Sequence, residues 1–585
     1  MKLHRLRNRV RRLMRGTSVP TWYDPRYRLT VGGLEPRLGL EPRRADFAIS
    51  YLLDSKLIQE ADLRRPHRIG YDAIARVHTR QLMDDLHDAA RLGEIFGASA
   101  DRLSVDDVVR TIRLACGGTL AATREALRRR GPTLNLLGGF HHASPSRGAG
   151  LCPVNDIAIA IAALRSEGFD GMVVVIDVDA HPPDGTAACL VDDEASFIGS
   201  LSGSDWGPLE GRVDETVLPP GTSDGTYLVA LADLLARTPD AELAFVIAGG
   251  DVMAGDKLGT LGLSLEGVRR RDMMIADALG NTPAVWLPGG GYHRDAWRVL
   301  AGTVLAMAGT DDPIPGGYDS IEATFRKISR SISPSNLSDM HEIHLDDVLS
   351  DLGTGPSQPR LLGFYTESGC EYAFEQYGIF EHLRRLGYDD FRVELGQERE
   401  RSRCRIFARA RGLEHLLAEA VLEVKVIDDR RVLYVHWLTL QDAAHRLADP
   451  ALPGQERPGL GLAKESAALL GRSAERLGLD GVAFTPSWYH MAFLSRERAQ
   501  FATVERQGSF AALLRDLGDL PMREVSAAID DGRVFVSRDG GEPERYRWEA
   551  SDMVAWRNES QLDPGEVERE AERLRFELHE DPDAS

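Results

Sequence analysis

The sequence predicts an α/β protein: a mostly parallel sheet flanked by helices, followed by a smaller α+β domain. Three observations carry this. Between Asp24 and about Gly309, short apolar β-type runs alternate with helical stretches, and strands separated by helices imply βαβ units and a parallel sheet. Beyond about residue 360 the order changes to several strands around a Gly-rich turn. At 585 residues the chain is also too long for one hydrophobic core.

Taken in order, the first strand candidates are Leu134–Leu137, Met172–Val178, Leu243–Ala248 and Ala284–Leu287, each a short apolar run bounded by polar or Gly-rich residues. Helical patterns over Asp156–Glu167, Thr226–Arg237 and Ser264–Leu279 lie between them. Residues 20–330 thus read as one domain. Ser331–Arg360, rich in Ser, Pro, Gly and Asp, reads as a linker. A second domain over 361–558 is expected to run strand Leu361–Tyr365, helix Cys370–Leu386, and strands including Phe391–Leu395, Cys404–Ala410 and Val432–Leu440. The Gly-rich turn Gly454–Gly461, helix Ala463–Leu477 and strand Gly481–Thr485 follow. The tail 559–585 is highly charged and is expected to be a solvated helix or disordered.

The formal charge of −20, from 70 basic and 90 acidic residues, argues against broad nucleic-acid binding, because phosphates would be repelled. The segment 1–19 is a local exception. Met1–Thr17 is arginine-rich without an acid, and Leu3, Leu6, Val10 and Leu13 fall near helical spacing. It reads as a helix that docks on the acidic body or frays, in preference to a membrane-surface or acidic-partner contact. No apolar run is long enough to cross a bilayer and no secretory signal is evident, so a cytoplasmic protein is expected. Five cysteines without CxxC spacing suit a reducing compartment.

Four segments share one layout, an apolar strand running into a polar or Gly-rich turn: Leu134–Ser144 (LNLLGGFHHAS), Val173–Gly185 (VVVIDVDAHPPDG), Leu243–Asp251 (LAFVIAGGD) and Ala284–Tyr292 (AVWLPGGGY). In an open parallel sheet, ligands bind beyond the carboxyl ends of the strands, so these turns are expected to meet on one edge. Asp177, Asp179 and His181 are spaced by two, which on a strand points all three to one face. Burying unpaired carboxylates there is costly, and a cation removes the conflict. With Asp251 as a second carboxylate, Asp179 and His181 give an Asp₂His set that leaves Zn²⁺ an open position. Fe²⁺ or Mn²⁺ would accept the same donors. The alternative is that Asp179 and His181 cap the next helix or pair with each other.

At these residues, and at RADFAISYLLDSKLI, ARVHTRQLMDDL, GGFHHASPSRGAGLCPVNDIAIAI, AGGDVMAGDKLGTLGLSLEG and PGGGYH, the chain resembles the bacterial branch of the histone deacetylase and acetylpolyamine amidohydrolase superfamily over about Tyr23 to Met307. Class IV-like features lie in the aspartate loop. The resemblance implies an arginase/deacetylase-like fold and a zinc-dependent amide hydrolase. Asp179, His181 and Asp251 match the metal ligands. His141 and His142 match the tandem histidines, with His142 as general base and later acid. Asp177 and Asp184 match the carboxylates that orient them, and Tyr292 matches the oxyanion-binding tyrosine. A structural K⁺ is also implied. The substrate implied is an acylated amine, either acetyl-lysine in a protein or an acetylated small molecule.

Pro182 and Pro183 replace a polar residue and glycine, Leu151 stands where the acyl-lysine tunnel is often aromatic, and Ser200–Pro208 lacks a histidine, although Trp206 could form a wall. These departures keep open an inactive acyl-binding or scaffold protein; the other alternative, an arginase-type ureohydrolase with two manganese ions, shares the α/β architecture but needs more Asp and His ligands than the sequence offers. The second domain weakly resembles the GCN5-related acetyltransferase fold, in which a Gly-rich turn cradles a pyrophosphate. Gly459 and Gly461 fill that place, but Glu456 would repel phosphate, so a degenerate or recognition module is expected in preference to an active transferase.

Overall fold

The computed structural model describes residues 19–29, 31, 40–98, 100, 103–310, 314, 318–338, 359–445, 452–558 and 562–579. The basic N-terminal segment up to residue 18, residues 339–358 of the expected linker, and the tail beyond residue 579 lie outside the described residues. The chain divides into two compact units, Met1–Ser320 and Ile321–Ser585. Among the described residues no helix is long and apolar enough to cross a membrane.

The first unit is built on an eight-stranded sheet, all of whose pairs are parallel. Its strands are β1 (Thr21–Trp22), β2 (Leu63–Arg64), β3 (Pro132–Asn135), β4 (Val173–Asp177), β5 (Ser196–Ser202), β6 (Val213–Val217), β7 (Leu243–Ile247) and β8 (Ala284–Leu287). Their order across the sheet is β2-β1-β3-β8-β7-β4-β5-β6. Every residue of β4, β7 and β8 is buried, as expected where helices cover both faces. Two apolar layers do this. One holds Val174, Ile176, Ala244, Val246 and Trp286, and the other Val173, Val175, Leu243, Phe245 and Val285. The alternation along each strand is the period-two consequence of the pleat.

Helix starts follow their capping chemistry. Asn155 accepts from the Ala158 N–H at the head of Asp156–Ser166, and Ser264 accepts from the Gly267 N–H at the head of Leu265–Leu279. The strands β3, β8, β7 and β4 are consecutive neighbours in the sheet. The four turns singled out in the sequence therefore leave adjacent strands at one edge.

The second unit carries a seven-stranded mixed sheet and a separate three-stranded one. The first contains β9 (Asp389–Glu398), β10 (Arg401–Ala410), β11 (Leu413–Ile427), β12 (Arg430–Leu440), β13 (Gly481–Phe484), β14 (Gln500–Phe501) and β17 (Met553–Trp556), in the order β14-β17-β13-β12-β11-β10-β9. Its one parallel pair, β12 with β13, is joined through the Gly-rich turn and the helix Ala463–Arg476. The small sheet contains β15 (Val534–Arg538), β16 (Glu544–Arg545) and β18 (Leu574–Leu578).

Three expectations are corrected. Leu361–Tyr365 is a tight turn closed on itself by a Leu361–Tyr365 bridge, with Leu362 and Gly363 both at positive φ. The helix expected over Cys370–Leu386 is two helices, Glu367–Gln376 and Ile379–Arg385, broken at Gly378 with φ 74°. The charged tail forms a helix, Pro564–Glu572, and then β18, whose Leu574 and Phe576 are buried against β15.

Candidate metal centre

β4 ends at Asp177, so Asp179 and His181 lie in the loop beyond the strand and their convergence is set by loop geometry. One ligand atom from each of Asp179, His181 and Asp251 falls within 4.8 Å of the others. His181 Nδ1 is 3.2 Å from Asp179 Oδ1 and 3.0 Å from Asp251 Oδ2. Asp179 and Asp251 are 1% and 0% exposed.

The carboxylates are held in place by backbone N–H groups. Gly290 donates to Asp179 Oδ2 at 2.7 Å, and Ala180 donates to Asp251 Oδ1 at 3.0 Å. Close approach requires glycine: a Cβ on Gly290 would sit 2.4 Å from Asp251 Oδ2, and one on Gly249 would sit 2.5 Å from Asp179 Oδ2. Two buried carboxylates brought this close together are costly without a counter-ion. The pair's protonation reflects that cost. Burial and the charge of Asp179 push Asp251 up to about 7. Burial pulls the His181 imidazole down, but the two carboxylates outweigh it and raise it to about 11. A buried, convergent Asp₂His set of this charge fits a divalent cation.

The two histidines beside it are held differently. His141 Nδ1 is 2.8 Å from Asp177 Oδ2, with both residues buried. Burial opposes its protonation, yet the charges of Asp177 and Asp179 prevail and push it up to about 9. His142 Nδ1 is 2.7 Å from Asp184 Oδ1, and Asp184 is part-exposed. Burial and the neighbouring His141 charge draw His142 down to about 4. The rings are 4.0 Å apart. Adjacent imidazoles thus differ in protonation at neutral pH.

Tyr292 follows β8, and its N–H donates to Asp256 Oδ2 at 2.7 Å. Burial, with the charges of Asp251 and Asp179, raises its phenol well above the usual range. Trp206 is 53% exposed, with its ring centred 5.1 Å from that of His142 and 5.9 Å from that of His181. Leu151 is half-buried at a left-handed φ of 65°.

Several supporting residues escaped the sequence reading. Asp156, fully buried, accepts from the N–H groups of Gly139 and Phe140 and from the Thr119 hydroxyl, which fixes the turn leading into His141. Arg44 donates to the carbonyls of Gly289 (2.7 Å) and Gly291 (3.2 Å). Arg271, fully buried beside Asp272, donates to Val178 O and Gly249 O and so ties the β4 and β7 loops together. Asp256 also accepts from Leu258 and Gly259. Of these, the motif AGGDVMAGDKLG was the visible signal for Asp256.

Fold and site together define an α/β protein with an Asp₂His candidate cation centre at the carboxyl edge of a parallel sheet. Residues 39–308 match the family model described as Histone deacetylase domain. The chain is 28% identical to Histone deacetylase 2 of Arabidopsis thaliana over 303 residues, covering 49% of this chain and 78% of that protein. It is 27% identical to Histone deacetylase 8 of Danio rerio over 369 residues, covering 58% and 95%. The crystal structure of an HDAC homolog from Aquifex aeolicus is 24% identical and covers 52% of this chain and 88% of that chain, with a TM-score of 0.46.

Proposed function

We propose that the first unit hydrolyses the amide of an acylated amine, an acetyl-lysine or an acetylated small molecule, with a zinc ion held by Asp179, His181 and Asp251. The observation that carries this reading is the convergence of those three groups within 4.8 Å, in a buried site beside His141 and His142, each held by its own carboxylate, Asp177 and Asp184. Histone deacetylases among the relatives support the amide chemistry. Iron(II) or manganese(II) would be accepted by the same donors.

A divalent ion bound there supplies Lewis acidity to the amide carbonyl and lowers the pKa of water. His142, neutral at physiological pH, takes the proton of the attacking water and returns it to the departing amine, while Asp184 fixes its tautomer. His141, kept charged by Asp177, stabilises the negative charge that develops beside it. The Tyr292 phenol remains protonated and donates to the developing oxyanion. Trp206, standing against both His142 and His181, walls the approach and excludes water from the reacting amide. A structural K⁺ near Asp177 belongs to the same proposal. It is supported by Ser200, the partner of Asp177 in the β4–β5 register, whose buried hydroxyl lacks a hydrogen-bond partner. Action in the cytoplasm completes the reading.

Metal analysis of the full chain, paired with turnover of acetylated lysine peptides and acetylated polyamines, tests the proposal. One ion per chain and hydrolysis that Asp179→Ala or His181→Ala abolishes are the expected results. Full activity in either variant overturns the mechanism. Two ions per chain would point to a ureohydrolase, and ligand affinity without turnover at full occupancy to an acyl-binding protein.

A further inference from the structure

The second unit contains a cavity that the catalytic reading leaves unused. It lies among the helices Glu367–Gln376, Ile379–Arg385 and Ala463–Arg476 and the strands β10, β11 and β12, with a cavity volume of ≈ 140 Å³ that opens partly to solvent. Its size follows from the sequence. The alternate β10 positions Cys404 and Ile406 are buried on this face, and β11 contributes the small side chains Ala418 and Ala420 opposite them. The walls include Phe374, Leu383, Ile406, Leu422, Leu440 and Leu469. Leu438 also lines it and is left 40% exposed. Glu419 borders the space but is already paired with Arg405 at 2.8 Å.

One end of the cavity is cationic. Arg472 and Arg476 border it, and both also line an adjoining depression with Arg326, Ser329, Arg330 and Glu475. Glu322 and Glu475 are the carboxylates there, and both pair with Arg472. Even so, the buried Arg472 Nε has no hydrogen-bond partner. Arg476 donates to Ser329 O at 3.0 Å and Ser329 Oγ at 3.2 Å, and is paired with no carboxylate among the described residues.

Water is poorly satisfied between such walls, and an empty space forfeits the dispersion contacts that a ligand would make. An alkyl chain gains affinity with each buried methylene, and guanidinium groups bind carboxylates through paired N–H donors. We propose that this cavity binds a medium- to long-chain fatty carboxylate as the free acid anion, with its chain among the leucines and its head group on Arg472 and Arg476. The site is independent of the cation centre.

Calorimetric titration of the full chain with dodecanoate tests this. One dodecanoate per chain is expected, with butyrate at least about a hundredfold weaker, because eight methylenes fewer are buried. Dodecanol, which lacks the charge, is expected to be about tenfold weaker. Arg476→Ala should weaken dodecanoate by about tenfold while leaving dodecanol unchanged, and Arg476→Lys should restore part of the loss. Ala420→Trp fills the space and should abolish binding of both; should that variant fail to fold, Ala418→Leu gives the same reading in milder form. Failure of dodecanoate to bind, equal affinity for dodecanol, or indifference to Arg476→Ala overturns the proposal. Equal binding of the lysophospholipid with the same chain overturns the free-acid assignment. Each readout is binding alone, so a negative result leaves the hydrolase reading untouched.

Discussion

The two large sheets handle charge in opposite ways. In the first unit, strands buried on both faces run into Asp177, Asp179 and Asp251, none more than 1% exposed. In the second, β9, β10 and β11 carry Arg392, Arg405, Glu394, Glu414 and Glu419 as cross-strand pairs on a solvated face, such as Arg392 with Glu414 at 3.2 Å and Arg405 with Glu394 at 3.1 Å. Exposed pairs of that kind contribute little and need no further explanation. Buried, convergent carboxylates carry a desolvation cost that only a ligand or a proton relieves. Burial of charge, more than its amount, separates the candidate cation site from the solvated face.

The comparison can be broken or sharpened by substitution. Asp251→Ala should bring turnover to background and remove the bound ion, as read by metal analysis, whereas Glu419→Ala should leave both unchanged; equal effects would erase the contrast. Tyr292→Phe should lower kcat by about 10²–10³-fold at unaltered metal content. The buried His78 gives a pH-dependent case. Its Nε2 accepts from the Asn155 N–H and its Nδ1 faces Ser144 O, and burial holds it down at about 4 against 6.5 in the unfolded chain. Because the folded value is the lower one, the stability from neutral His78 is complete above about 6.5 and is lost as pH falls towards 4. The loss is of the order of 3 kcal/mol, and His78→Gln should flatten that slope in chemical denaturation of the first unit. Asp184→Asn should cost about 10–100-fold in kcat by freeing the His142 tautomer, and should displace the pH–rate profile. Smallest of all, Arg405→Ala should change stability by under about 1 kcal/mol, measured by the same denaturation.

The buried strands and the four turns were legible because a strand covered on both faces must be continuously apolar, so the polar residues that interrupt it stand out. That put His141, His142, Asp179, His181, Asp251 and Tyr292 on view. Arg44 and Asp156 were not, since they act on backbone groups that no periodicity marks, and Arg44 reaches carbonyls 245 and 247 residues away. β1 and β2 are two residues each, too short to show alternation. In the second unit, Gly378 inside an apolar helical pattern reads as a tolerated interruption until its left-handed φ ends the helix, and β18 hides in a charged tail because only Leu574 and Phe576 carry its buried face.

The Arg44 clamp has a consequence for biosynthesis. The guanidinium that steadies Gly289 and Gly291 emerges from the ribosome long before its acceptors do, and domains generally fold as units. No partial chain ending before the Gly289–Gly291 turn can assemble the reactive edge, however well its earlier helices have formed. The clamp therefore joins the helix Arg44–Asp54 to the turn after β8, two segments about 245 residues apart in the chain.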